Sequence, residues 1–129
     1  MNFPSALKYT KSHEWARQDG AKVVVGITEY AQHELSDVVY VELPKIGQEV
    51  KQGVACCIVE SVKAAFDIYA PVSGKIVEIN KKLEGEPGLI NKDSYGEGWF
   101  FAITPTNLSE LNNLMPSTSY ETLLAQGAK

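Results

Sequence analysis

The 129-residue chain has a single arginine, Arg17, among its twelve basic side chains, so its cations are almost all lysines. Phosphate recognition relies on clustered cations, with arginine supplying the bidentate fork, and acids here outnumber bases 16 to 12 for a formal charge of -4. That balance argues against a nucleic-acid partner. Cysteine is nearly as sparse. Cys56 and Cys57 are neighbours, and on a strand adjacent side chains point to opposite faces, so a bridge between them would be badly strained. They read as reduced thiols in a reducing compartment. The two histidines, His13 and His33, stand at no zinc-like spacing, and no metal site is expected. No apolar run approaches the roughly 18 to 20 residues of a membrane span, and the opening MNFPSALKYTKSHEW lacks the apolar core of a secretory signal. The expectation is a soluble protein with no membrane partner, in a bacterial cytoplasm, or in the mitochondrial matrix if this is the mature form of an organelle protein.

What is present suits one domain over residues 1–129, with 44% hydrophobic and 22% charged residues and length enough for a single core. Short β-branched stretches recur between turn formers: 22–27 (KVVVGI), 37–43 (DVVYVEL), 49–50, 55–60, 65–69, 75–80 and 99–104. Strands at such intervals predict an all-β sandwich or flattened barrel. Thr28 is a credible N-cap, with Glu29 at the positive end of a short helix that ends near Ser36. After Pro105, the spacing of Leu108, Leu111, Leu114 and Met115, then of Tyr120, Leu123 and Leu124, predicts two short terminal helices, a cap over about 106–127 that covers one open end of the sheets. A faint echo between LPKIGQEVKQG and IVEINKKLEGEPG suggests two related halves, each a strand with a glycine-closed turn.

The most informative stretch is IVESVKAAFDIYA, residues 58–70. Two strand-like arms flank SVKAA, which predicts a hairpin over about 55–70 with Lys63 at its tip. An exposed lysine amine there can be acylated by a separate enzyme that grips the hairpin. A lysine in a turn is more commonly a plain solvated charge, and spacing alone does not separate the two. Other candidates are weaker. His13 stands between Ser12 and Glu14, but the chain has no G-x-S-x-G elbow, and sequence neighbours rarely form a catalytic triad. Gly96 and Gly98 lack the third glycine of a dinucleotide loop, and Ser73–Lys75 is no P-loop. Trp15 and Trp99 read as packing anchors.

The motifs SHEW (12–15), GITEYAQ (26–32), VELP (41–44), ESVKA (60–64), DIYAPVSG (67–74), LIN (89–91) and YGEGWF (95–100) occur in that order, and the chain thereby resembles the H proteins of the glycine cleavage system. The resemblance implies a barrel-sandwich hybrid of the lipoyl/biotinyl type, a carrier rather than an enzyme. It implies lipoate in amide linkage on Lys63, with Glu60 helping a lipoate-attaching enzyme recognise the hairpin. The implied partners are a pyridoxal-phosphate glycine decarboxylase that loads an aminomethyl group, a tetrahydrofolate-dependent aminomethyltransferase that unloads it, and dihydrolipoamide dehydrogenase, which takes the electrons. The family's cleft residues fall on Ser12, Glu14 and Asp67, with Glu14 and Asp67 expected to pair with the loaded amine. Two other readings stay open: a lipoyl relay that passes the group to other enzymes, and an unmodified β interaction module. Three positions depart from the family pattern. Ser36 stands in place of glycine, Phe66 in place of a small residue, and Ser94 in place of proline.

Overall fold

Among residues 1–127, which the computed structural model describes, the chain forms two antiparallel sheets that face each other. The chain opens with β1 (Lys8–Tyr9) and β2 (Glu14–Asp19), neither of which the apolar pattern predicts. Strand β2 reads EWARQD and is held by pairing with β1 on one side and with β3 (Lys22–Ile27) on the other. The order then runs α1 (Glu29–Leu35), β4 (Val38–Glu42), β5 (Glu49–Val50), β6 (Ala55–Ser61), β7 (Ala65–Tyr69), β8 (Gly74–Ile79), α2 (Lys82–Gly85), α3 (Leu89–Lys92) and β9 (Phe101–Pro105). A 3-10 turn at Leu108–Asn113 and α4 (Ser117–Ala125) follow. The large sheet has the order β1-β2-β3-β9-β8-β5, and the small one β4-β6-β7. The expected all-β class holds, in the form of two open sheets with short helices.

Alternation along the strands builds two apolar layers. Val23, Val25, Phe101 and Ile103 of the large sheet meet Val41, Val59 and Ile68 of the small one between the sheets. Their neighbours Val24 and Ala102 point the other way and join Tyr9, Trp15 and Tyr120 in a second cluster on the outer face. The terminal cap therefore divides. Leu111 of the 3-10 turn and Leu114 just after it border the inter-sheet core, whereas Tyr120, Leu123 and Leu124 of α4 cover the outer face of the large sheet rather than an open end. The suggested halves also differ: the first glycine-closed turn leads into β5, but the second contains the single-turn helix α2 and runs into α3. Trp15 is fully buried and lies over Gly26, where an added Cβ would stand 2.5 Å from its ring. That close approach explains a glycine inside a strand.

Helix α1 is too short to be stable alone and depends on its ends and on Leu35, which is buried in the core. Thr28 Oγ1 accepts from the Ala31 amide at 3.2 Å, the expected N-cap. At the other end Ser36 adopts φ 64° and ψ -152°, a region that only glycine enters freely. Asn91 of the LIN motif clasps this end: its Nδ2 donates to the Ser36 carbonyl at 2.8 Å, and its Oδ1 accepts from the Val38 amide at 2.9 Å. Ser36→Gly should relieve the strain and raise stability by about 1 kcal/mol, a rise of roughly 3 to 5 °C in thermal midpoint. An unchanged or lower midpoint in a melting experiment would show that Ser36 carries no strain.

Candidate functional site

Strands β6 and β7 pair with Val59 opposite Phe66 and Glu60 opposite Ala65, leaving Val62, Lys63 and Ala64 to close the hairpin. Ser61 fixes this loop. Its amide donates to the Ala64 carbonyl at 2.9 Å, and its hydroxyl accepts from the amides of Lys63 at 3.1 Å and Ala64 at 3.3 Å. The Val62 amide donates to the Asp37 carbonyl at 3.0 Å, which ties the tip to the start of β4. Lys63 is exposed, as its place in the sequence suggested. Its Nζ donates to the Glu34 backbone carbonyl at 3.1 Å and faces no carboxylate partner among the described residues. An exposed hydrogen bond of this kind contributes about 1 kcal/mol or less, so the amine is accessible. Glu60, three residues earlier, is also exposed and pairs across the sheet with Tyr40.

Beside the hairpin lies a cleft of about 400 Å³, walled by α1 on one side and by β7 with the end of β6 on the other. Ile27, Tyr30, Leu35, Val59, Phe66 and Ile68 make it largely apolar. Its size falls within the roughly 300 to 1,000 Å³ of small-molecule sites. The polar groups on its wall are Ser12, His13, Glu34 and Asp67. Phe66, 42% exposed, lines this cleft. Glu34 lies outside the motifs, although its i, i+4 spacing from Tyr30 of GITEYAQ puts the two on one face of α1.

Glu14 is not on the cleft wall. It is fully buried between the sheets, with Oε1 accepting from the hydroxyls of Thr10 and Ser12 and Oε2 accepting from the Tyr69 amide at 3.0 Å. Of the three residues assigned to the cleft, Ser12 and Asp67 line it, while Glu14 lies behind Ser12, whose Oγ is 2.6 Å from Oε1. Glu14 points inward because it shares the face of Ala16 on β2. Burial pushes its carboxyl above the ordinary value, and the hydrogen bonds from Ser12, Thr10 and Tyr69 partly offset this.

His13 forms no triad, since Ser12 Oγ bonds to Glu14 instead. Its Nδ1 lies 2.8 Å from Tyr120 Oη, which lies 2.8 Å from Thr28 Oγ1. Tyr120 Oη thus bridges the imidazole and the N-cap hydroxyl of α1, which also accepts from the Ala31 amide. Nε2 is buried without a partner among the described residues. Burial lowers the affinity of the ring for a proton, and the nearby Glu34 carboxylate acts in the opposite sense. The two cysteines are free, and burial pushes the Cys56 thiol up to about 12 and raises that of Cys57 as well, which makes both poor nucleophiles. Ser94 contributes its backbone carbonyl, which accepts from Trp15 Nε1 at 2.9 Å, a contact that proline supplies equally well.

An exposed lysine on a hairpin beside an apolar cleft is the arrangement of a carrier domain, and comparison with known proteins names the kind. A family model described as "Glycine cleavage H-protein" matches residues 7–127. The chain belongs to that family. It is 52% identical over 128 residues to the glycine cleavage system H protein of Thermus thermophilus, covering 99% of this chain and 100% of the relative. It is also 52% identical over 124 residues to that of Shewanella loihica, covering 95% and 96%. The crystal structure of a glycine cleavage system H protein from Mycobacterium marinum superposes with a TM-score of 0.88 at 37% identity, covering 95% of this chain and 99% of that one. H proteins are lipoyl carriers of the glycine cleavage system and not catalysts, and membership brings that role to this chain.

Glu14 also makes a pH-dependent contribution to stability. A carboxyl whose folded value is raised binds its proton more tightly in the folded state, so its contribution is most favourable below the unfolded value of about 4.3 and declines as pH rises through the folded value. Glu14→Gln, which has the same shape and keeps an acceptor for the Tyr69 amide, removes that titration. Denaturant unfolding should show wild type losing ground to the variant as pH rises from the ordinary carboxylate range toward neutrality. A difference that does not change with pH would mean that the group does not titrate in this window.

Proposed function

We propose that the chain carries lipoate in amide linkage on Lys63 Nζ and shuttles an aminomethyl group from glycine decarboxylase to the tetrahydrofolate-dependent aminomethyltransferase, passing electrons to dihydrolipoamide dehydrogenase. The observation that carries this reading is the Lys63 amine, exposed at a hairpin tip and hydrogen-bonded to the backbone carbonyl of Glu34, a residue that lines the apolar cleft. When attached, the lipoyl group supplies a disulfide on a flexible arm, which takes up a one-carbon amine and two electrons. The protein fixes where that arm begins, since the Ser61 and Asp37 contacts immobilise the three-residue loop. Tethering then replaces diffusive encounter by a high local concentration at each partner. Ser12 and Asp67 line the cleft, where they offer polar groups to the cargo. Glu60, exposed and level with Ala65 on the neighbouring strand, offers a charge to the lipoate-attaching enzyme. The relatives named above are bacterial, and a bacterial cytoplasm is the setting this reading assigns.

Intact-mass measurement of protein expressed with lipoate supplied tests this. One lipoyl group should be added, lost in Lys63→Arg and kept in Lys75→Arg, because Lys75 lies on β8 in the other sheet. Glu60→Gln should slow the modification roughly tenfold with the fold intact, as loss of one charged recognition contact predicts. An unmodified wild-type protein under these conditions would favour a plain interaction module.

A further inference from the structure

His13 holds a backbone φ of 78°, in the left-handed region that a residue with a β-carbon seldom enters unless its surroundings impose it. Three contacts impose it here. The His13 amide donates to the Thr10 carbonyl at 3.2 Å, its carbonyl accepts from the Thr28 amide at 3.0 Å, and its Nδ1 lies 2.8 Å from Tyr120 Oη. The third comes from α4, the helix that covers the outer face of the large sheet. The same hydroxyl lies 2.8 Å from Thr28 Oγ1, the N-cap of α1. A single buried phenol therefore joins the turn that carries Ser12 and Glu14 to the first turn of the helix that carries Tyr30 and Glu34. Its ring is held independently of that hydroxyl, stacked on Tyr9 at 4.8 Å and met edge-on by Phe3 at 5.3 Å. Burial raises the phenol above its ordinary value, so the proton stays on at neutral pH. Tyr95 also supports α1, accepting from the Glu29 amide at 3.0 Å, but its own proton goes to the Asn2 carbonyl, and it makes no hydrogen bond to the 10–14 turn among the described residues.

We propose that Tyr120 is a positioning residue of the carrier site: its hydroxyl fixes the 10–14 turn against the first turn of α1, so that the C-terminal helix sets the spacing between Ser12 and the helical wall. This rests on the carrier reading above and adds to it a residue that does not line the cleft. Without the hydroxyl, His13 and Thr28 each lose a partner where water has little access, and a buried polar group left unpaired is costly. The relaxation open to them is a small separation of turn from helix, which admits water between Ser12 and Tyr30. Water consumes an aminomethyl thioether. The carbon–sulfur bond breaks, water supplies the oxygen of the departing formaldehyde and the protons of the thiol, and the nitrogen leaves as ammonia.

The test uses the full chain with Tyr120→Phe, which keeps the stacked ring and removes the hydroxyl. Beside it stands Tyr9→Phe, which removes a hydroxyl from the same aromatic cluster, one that donates to the Pro4 carbonyl at 2.6 Å. Both variants should lose a similar, small amount of thermal stability, so that differences between them report where the hydroxyl points. In the unmodified chain, nitrogen NMR should show the His13 Nδ1 resonance moving in Tyr120→Phe and not in Tyr9→Phe. The Ala31 and Gln32 amides, which donate to Thr28, should exchange roughly fivefold faster in Tyr120→Phe alone. In protein lipoylated on Lys63, loaded by glycine decarboxylase and then separated from it, Tyr120→Phe should release ammonia roughly three- to fivefold faster than wild type or Tyr9→Phe. Oxidation of the unloaded, reduced arm by dihydrolipoamide dehydrogenase should be equal in all three, since the tether is unchanged. Equal ammonia release from the two variants, or a His13 resonance unmoved by Tyr120→Phe, would overturn the positioning role and leave Tyr120 a packing residue. Absence of the lipoyl mass, read before loading, would bring down the carrier reading at a separate step, and the assignment of Tyr120 to a carrier site with it.

Discussion

Three donors converge on one buried carboxylate, and most of the site's geometry follows from them. Glu14 Oε1 gathers the Thr10 and Ser12 hydroxyls from the turn before β2, and Oε2 takes the Tyr69 amide from the end of β7 in the facing sheet. A charge or acid held between sheets is costly unless every lone pair is used. The arrangement therefore has little slack: moving β7 or the 10–14 turn strands a polar group. Asp67 is two residues before Tyr69 and Ser12 two before Glu14, so the same contact sets the strand wall of the cleft and the hydroxyl on its floor. Thr28 and Tyr120 brace the adjacent His13 and the start of α1, which gives the helical wall an equally fixed origin.

The features that depend on local chemistry were legible in the sequence. Thr28 begins α1 because its hydroxyl reaches Ala31, and the ESVKA tip closes because Ser61 satisfies the loop amides; both are short-range effects of one side chain on its own backbone. Features settled by distant contacts were not. Strand β2 has no apolar alternation and exists because β1 and β3 pair with it. The GEPG stretch reads as a turn, yet it lies between two single-turn helices, the second carrying Asn91, whose partners lie more than 50 residues earlier. The burial of Glu14 and the arrival of Glu34 at the cleft are of the same kind. Each is an ordinary acid in a polar segment, and only the packing of the sheets and of α1 decides which one meets the cleft.

The departures at positions 36, 66 and 94 show how such a fold absorbs change. Ser94 is used through its carbonyl, which every residue possesses. Phe66 extends a cleft that is already apolar and stays 42% exposed, so added volume there does not overpack a core. Ser36 is different, because φ 64° with ψ -152° strains any side chain. The cost is local, and Asn91 holds the carbonyl in place regardless of which residue bears it.

A carrier has conflicting requirements, since its cargo must be held long enough to travel and weakly enough to leave. A fully buried ion pair would satisfy the first and defeat the second, because withdrawing a charge from a dry, hydrogen-bonded site costs several kcal/mol. Glu34 and Asp67 are exposed at the rims of their walls, where solvent screening limits each contact to about 1 kcal/mol. Glu14, by contrast, sits where a charge-assisted contact would be strong and slow to release, and its hydrogen bonds are already committed to joining the sheets. The buried acid and the exposed pair thus differ in their dielectric surroundings, the first joining the sheets and the second lining the rims of the cleft beside the rigid hairpin.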